Sequence, residues 1–251
     1  MERALDQRAC LDAHAHLDPA ARVGGAGFVL AMTLSATEAG DAVARREPRV
    51  VWGVGCHPRR ARAVRAFDRD EFDALATRTP VVGEVGLDAT SRVPYDEQLA
   101  AFRGALAVAR ARGRVVSVHP HKTSTAVLDE LRRRMPPAVI LHWWSGDADE
   151  TRRAVRLGCY FSVHRAVARR LVWRDVPRDR LLVESDIGYH DAPAEIPSLV
   201  ARTEAMLADR VDSDAATIRT NAWRGLGALI RASSTRRLWP EEFLAEVARA
   251  R

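Results

Sequence analysis

The residues of this chain that could do chemistry stand at the ends of separate apolar runs. Six of them are potential metal ligands: His14, His16, Glu84, His119, His142 and Asp186. Imidazole nitrogens and carboxylate oxygens are common ligands of divalent transition metals in proteins. A bound divalent ion can lower the pKa of its water ligand to about 7 and so supply a nucleophile at neutral pH. The pattern therefore indicates a metal-dependent hydrolase.

His14 and His16 are separated by a single residue. Side chains alternate between the two faces of a β-strand, so both imidazoles would point the same way and hold one ion. The pair alone is weak evidence, because polar residues at alternate positions are common near barrel mouths. Each further strand that ends on His or Glu strengthens the interpretation, since each would otherwise need a separate explanation.

Eight apolar runs recur along the chain, with helical patterns between them. They are residues 9–14, 28–34, 50–56, 81–85, 115–119, 138–142, 159–163 and 181–184. This alternation is typical of βα units and predicts an α/β fold, a TIM-type (β/α)8 barrel. Active sites of such barrels lie at the carboxyl ends of the strands, where the candidate ligands stand. We expect a single domain over residues 1–251, with residues 228–251 as a C-terminal helical tail.

Composition sets the class of protein and its possible partners. The chain has 251 residues, 47% of them apolar, and a net charge of +6. This charge suggests a polyanionic partner such as DNA, with Arg59 and Arg60 facing its backbone, but solvated arginines would give the same charge. No apolar stretch approaches the roughly 20 residues that a membrane helix needs. We expect a cytoplasmic protein that does not bind membranes.

Six motifs jointly resemble the TatD family of metal-dependent hydrolases, within the amidohydrolase-like barrels. They are residues 12–18, 53–58, 83–88, 117–119, 142–146 and 182–186. Their order and spacing agree with that family from about residue 11 to residue 227. The resemblance implies a deoxyribonuclease that trims DNA ends with two divalent ions, Mg²⁺, Mn²⁺ or Zn²⁺.

The resemblance also implies a division of the ligands between two ions. The first ion would be held by His14, His16 and Asp186, and the second by His119 and His142, with Glu84 bridging both. A carboxylate can bridge two cations through its two oxygens, whereas an imidazole cannot. Two ions about 3.5–4 Å apart stabilise the attacking and leaving oxygens of a phosphoester displacement.

Further roles follow from the same resemblance or from position along the chain. Asp186 would take a proton from the attacking water besides binding metal, and His57 would contact the substrate phosphate. Asp88 would either support a metal-bound imidazole or cap the following loop. Asp12 is expected to be structural.

Four properties stay open: the metal, the bond that is cleaved, dependence on protein partners and the oligomeric state. Imidazole ligands favour zinc, manganese, iron or cobalt over magnesium, although the family is associated with magnesium-supported nuclease activity. The same site chemistry would also cleave carboxylic esters, lactones or amides, because barrels of this kind host many reactions. The chain could also be a catalytic subunit that is active only with protein partners. Its oligomeric state is not predicted.

Several residues near the candidate ligands depart from the family pattern or have no assigned role. Trp143 and Trp144 replace a small residue followed by an aromatic one. Such a tryptophan would either stack on a nucleobase or close the barrel top by packing. His121, His164 and His190 would belong either to the substrate rim or to the ordinary surface.

Overall fold

The computed structural model describes residues 8–20, 25, 27–188 and 191–250. Within these ranges eight parallel strands form one nearly closed barrel in which neighbours follow chain order. The strands are β1 (Leu11–Ala15), β2 (Phe28–Met32), β3 (Val50–Cys56), β4 (Val81–Asp88), β5 (Val115–His121), β6 (Ala138–Leu141), β7 (Tyr160–Val163) and β8 (Leu181–Val183). The predicted barrel is confirmed, and its strand ends shift by only a few residues.

Helices cover the outside of the barrel and its amino-terminal end. They are α1 (Ala36–Ala42), α2 (Ala61–Arg65), α3 (Arg69–Ala76), α4 (Tyr95–Arg112), α5 (Ser124–Arg134), α6 (Ala148–Arg156), α7 (Ile196–Arg210), α8 (Ala215–Ala232) and α9 (Glu241–Arg249). Their ends follow local sequence: Gly113 ends α4 in the left-handed conformation, and Asp147 and Glu150 form a capping box at the start of α6. Among the described residues, no helix is both long and apolar enough to cross a membrane.

The strands are apolar on both faces because both faces are packed. On β6, Val139 and Leu141 belong to the cluster beneath the outer helices, whereas Ile140 belongs to the cluster inside the barrel. This alternation is what a covered parallel sheet requires. A polar residue on an inward position near a strand end must therefore face the barrel mouth.

The amino-terminal end of the barrel is filled by aromatic side chains. Trp223 of α8 and Phe243 of α9 pack edge-to-face on Phe28, with ring centroids 5.1 and 4.9 Å away. Helix α8 continues through residue 228 to Ala232, so the expected tail begins inside a helix. With this end closed by apolar packing, the polar residues gather at the carboxyl end.

Buried Asp12 joins the last strand to the first. One of its carboxylate oxygens accepts hydrogen bonds from the backbone N–H groups of His14 and Ser185, both at 3.1 Å, and the Ser185 hydroxyl donates to the other oxygen. The backbone N–H of Asp186 donates to the carbonyl of His14 at 3.0 Å. These bonds place the segment that carries Asp186 beside the segment that carries His14. The structural role expected for Asp12 agrees with these contacts.

Candidate metal centre

Glu84, at the carboxyl end of β4, lies at the centre of a ring of histidines. Its side chain is 1% exposed, and ring nitrogens of five histidines lie within 3.6 Å of its two carboxylate oxygens. Those near Oε2 belong to His14, His16 and His57, at 3.6, 3.2 and 3.4 Å, and those near Oε1 to His119 and His142, at 2.5 and 3.5 Å. Together with Asp186, these residues make up all seven site residues predicted from the sequence, and they lie in one place.

His14, His16 and Asp186 form one side of the centre. Asp186 Oδ1 lies 3.9 Å from Nε2 of His14 and 3.7 Å from Nε2 of His16. The other ring nitrogen of each histidine is held at 2.9 Å, by the Ser117 hydroxyl and the Met32 carbonyl respectively. Both histidines therefore turn Nε2 towards the centre, as expected from their spacing. Such outer hydrogen bonds fix the orientation of metal-binding imidazoles.

His142 is oriented by Glu184, to which no role was assigned from the sequence. The Glu184 side chain is fully buried; its Oε2 lies 2.9 Å from His142 Nδ1, and its Oε1 accepts the backbone N–H of Trp143 at 3.0 Å. Burial raises the pKa of Glu184 well above its ordinary value. The signal was visible in the sequence, because Glu184 ends the apolar run of β8 as the other site residues end theirs.

His119 is held from two sides. Its Nδ1 faces Glu84, and its Nε2 lies 3.1 Å from Asp88 Oδ2. The other oxygen of Asp88 accepts the backbone N–H of Thr90 at 2.7 Å. Asp88 thus makes both contacts considered from the sequence, one to an imidazole and one to the following loop.

The donor set fits divalent cations. Among the described residues, three groups have donor atoms within 4.8 Å of one another: His14, His16 and Asp186; His14, Glu84 and His142; and His57, Glu84 and His119. The first group matches the ligand set expected for one ion. The other two share Glu84 but divide His142 and His119 between different neighbours.

Two atoms at the core of the centre have unmet bonding capacity. His14 Nε2 and Glu84 Oε2 are buried and have no hydrogen-bond partner among the described residues. Buried polar atoms are normally paired, so an orphaned donor–acceptor pair beside four further imidazoles points to a cation as the missing partner.

The electrostatics of the centre also favour positive charge. Although burial opposes ionisation, the surrounding imidazoles His57, His119 and His142 hold the pKa of Glu84 well below its ordinary value. Burial lowers the pKa of His16, but the Glu84 carboxylate outweighs this effect and raises that pKa to about 9. Burial raises the pKa of Asp186 to about 7. Glu84 thus stays ionised at the centre, where its negative charge would favour a bound cation.

A cavity of about 710 Å³ opens above the centre. His57 lies at its base beside Glu84, and Arg59, Arg60 and His121 also line it. His121 is exposed at the end of β5, so it lies on the rim of the cavity. Burial lowers the pKa of His57 to about 4, which leaves it a neutral ring at neutral pH.

The two adjacent tryptophans have different surroundings. Trp144 is fully buried, and its indole N–H donates to the Thr151 hydroxyl at 2.8 Å. Trp143 is half-buried and lines the cavity. His164 is buried against Trp143, with ring centroids 3.8 Å apart. His190 lies outside the described residues.

Comparison with known proteins places these features in context. A family model described as TatD related DNase matches residues 11–225. An uncharacterised metal-dependent hydrolase TatD from Mycobacterium tuberculosis is 30% identical, over 86% of this chain and 97% of its own. A 3'-5' ssDNA/RNA exonuclease TatD from Edwardsiella piscicida is 30% identical, over 67% of this chain and 71% of its own. The solved structure of a TatD homologue from Escherichia coli K12 has the same fold, with a TM-score of 0.73, 20% identity, and coverage of 88% and 97% of the two chains.

Proposed function

This chain belongs to the TatD family of metal-dependent hydrolases, and we propose that it is an exonuclease that hydrolyses phosphodiester bonds at the ends of DNA strands. The observation that carries the proposal is the meeting of five imidazoles and Asp186 around the buried carboxylate of Glu84. The relative from Edwardsiella piscicida, named a 3'-5' ssDNA/RNA exonuclease, supports a nucleic acid substrate.

We assign two divalent ions to the centre, held as the family resemblance implies. One would be bound by His14, His16 and Asp186, the other by His119 and His142, and Glu84 would lie between them. When bound, the ions supply positive charge to the phosphate oxygens and acidify coordinated water. Support for more than one ion comes from the overlap of donor groups at Glu84, whose two oxygens face different histidines.

The protein groups around the ions would orient the substrate and move the proton. Asp186, whose Oδ1 lies 3.9 Å from Nε2 of His14 and 3.7 Å from Nε2 of His16, would accept the proton of the attacking water besides binding metal. His57, 12% exposed at the base of the cavity, would contact the phosphate. Arg59 and Arg60 on the wall above would attract the neighbouring backbone phosphates.

The test follows the shortening of end-labelled single- and double-stranded DNA by metal-stripped protein after addition of Mg²⁺, Mn²⁺ or Zn²⁺. We expect cleavage with at least one ion and its loss in Asp186→Asn. The matched control is Asp149→Asn, which changes an aspartate that is 90% exposed and forms a surface ion pair with Arg152. The position of the label gives the direction of digestion.

The outcomes separate the proposal from its alternatives. Equal cleavage by wild type and Asp186→Asn would overturn the assigned base and ligand. Binding of two metals without cleavage of any nucleic acid would overturn the nuclease. Hydrolysis of a nitrophenyl ester in that case would identify a carboxylic ester hydrolase.

A further inference from the structure

Trp143 is a tryptophan of the cavity wall with an unusual backbone conformation. Its φ angle is +40°, in the left-handed region that bulky residues rarely adopt. Its backbone N–H donates to the buried Glu184 carboxylate, which holds the turn after β6 in place. The conformation breaks the side-chain alternation of the strand, so His142 faces the metal centre while the next side chain also reaches the cavity.

His164, from the end of β7, supports one side of the indole. The two ring centroids lie 3.8 Å apart, with planes inclined by 32°. His164 is only 8% exposed, and burial lowers its pKa to about 4, so it is a neutral ring. The contact fixes the indole at the cavity wall before any substrate arrives, which reduces the ordering cost of binding.

The surroundings of this indole are suited to a nucleotide. Arg59 and Arg60 line the same cavity, and Arg165 is exposed directly after His164. The metal centre at the cavity base is where the phosphate would react. A ligand that reaches the base of the cavity therefore meets cations for its phosphates and a fixed aromatic surface for an apolar, planar group.

Resting on the proposed nuclease function, we propose that Trp143 stacks on the terminal nucleobase of the strand, with His164 as the residue that positions the indole. Stacking on an aromatic side chain tolerates any base, because every base has a π face. Trp143 would therefore set a requirement for a base at the terminus without selecting its identity.

The test compares two single-stranded oligonucleotides that differ only at the terminal nucleotide from which digestion begins, which carries either a base or an abasic site. The label is placed at the opposite end. For wild type we expect kcat/KM to fall about tenfold on the abasic strand, mainly through KM. In Trp143→Ala the intact strand should be cleaved about tenfold less efficiently, and the two strands should become equivalent. Trp143→Phe should keep most of the difference.

The positioning role of His164 has its own readout. We expect the intact oligonucleotide to quench the indole fluorescence of the wild type. In Trp143→Phe the part of this quenching that comes from Trp143 should disappear. In His164→Ala the same quenching should require a higher concentration of oligonucleotide. The control is Leu171→Ala, which removes a side chain that is 65% exposed outside the cavity wall and should change neither readout.

The outcomes distinguish the stacking role of Trp143 from the nuclease function on which it rests. Cleavage of neither strand by wild type overturns the nuclease function. Equal cleavage of both strands by wild type overturns the stacking role and leaves the nuclease intact. Because the wild-type comparison needs no variant, it decides the question even if Trp143→Ala does not fold.

Discussion

The Nδ1 atom of His142 lies 2.9 Å from Oε2 of Glu184, and the other oxygen of that carboxylate accepts the backbone N–H of the next residue, Trp143. One buried carboxylate thus fixes both the ring of a candidate ligand and the turn that follows it. Since the ring is bound through Nδ1, its Nε2 is directed at Glu84, 3.5 Å away.

Replacing Glu184 should therefore weaken metal binding without removing a ligand. In Glu184→Gln we expect the affinity for one ion to fall about 10–100-fold, the usual effect of losing such an outer partner of a metal-bound histidine. Calorimetric titration of metal-stripped protein measures it. Glu97→Gln, in an exposed ion pair with Arg65, is the control. Unchanged affinity in Glu184→Gln would show that Glu184 does not orient a ligand.

Gly86 allows β4 to approach β5 beside His119. A β-carbon added at this position would lie 2.1 Å from the carbonyl oxygen of His119, so Gly86→Ala must push the two strands apart. We expect a loss of about 1–3 kcal/mol in the free energy of unfolding, the usual cost of overpacking. Metal affinity should fall in the same variant, because His119 moves.

Gly40 in α1 is the matched control for Gly86, since an added β-carbon there meets no atom within 4 Å. Gly40→Ala should leave metal binding unchanged and stabilise the protein by up to about 1 kcal/mol, as expected for glycine in a helix. Urea unfolding and metal titration of the two variants check both statements. Equal behaviour of the two variants would contradict the steric argument.

The sequence predicted the barrel and the location of the site, because strand periodicity and strand ends are local properties. The spacing of His14 and His16 was enough to predict that both face the same centre. The pairing of His142 with Glu184 was not predictable in this way, since 42 residues separate them and they follow strands β6 and β8, between which β7 lies in the sheet. The different surroundings of Trp143 and Trp144 depend on a left-handed turn that strand alternation does not predict.

Glu204 of α7 and Arg219 of α8 form a pair away from the metal centre whose charge should govern part of the pH dependence of stability. The Glu204 side chain is 2% exposed, and Arg219 contacts both of its oxygens. Burial raises the pKa of Glu204 despite the arginine. Because the folded-state pKa is raised, this group favours folding most below its ordinary pKa, and the contribution is lost as pH rises through the folded-state value.

Arg219→Leu should enlarge this effect, because a buried carboxylate loses its cation. We expect a destabilisation of about 2 kcal/mol at pH 8, below the 3–5 kcal/mol of a fully buried pair because Arg219 is 23% exposed. The loss should shrink at pH 5, where Glu204 binds a proton. Urea unfolding at both pH values measures it, and Glu204→Gln should remove the difference between the two pH values in the Arg219→Leu background. A loss that grows towards low pH would contradict the assigned sign.

Metal removal should lower the thermal stability of the protein, because the histidines and carboxylates that would bind the metal come together only in the folded state. The rings of His14 and His142 stack with centroids 3.6 Å apart, and His14 Nε2 has no hydrogen-bond partner among the described residues. A ligand that binds only the folded state stabilises it by about 2.7 kcal/mol at a concentration one hundred times its Kd. For a chain of this size that corresponds to a rise of about 5–10 °C in Tm.

Scanning calorimetry of metal-stripped protein at increasing Mn²⁺ or Zn²⁺ measures this coupling. We expect Tm to rise by a similar step with each tenfold increase in metal above Kd, and a chelator to reverse the rise. In His16→Ala the steps should begin at a higher metal concentration, because one donor is missing from the first group. Asp149→Asn should follow the wild-type curve. A Tm that does not respond to any divalent ion would mean that the histidines around Glu84 do not form a metal centre.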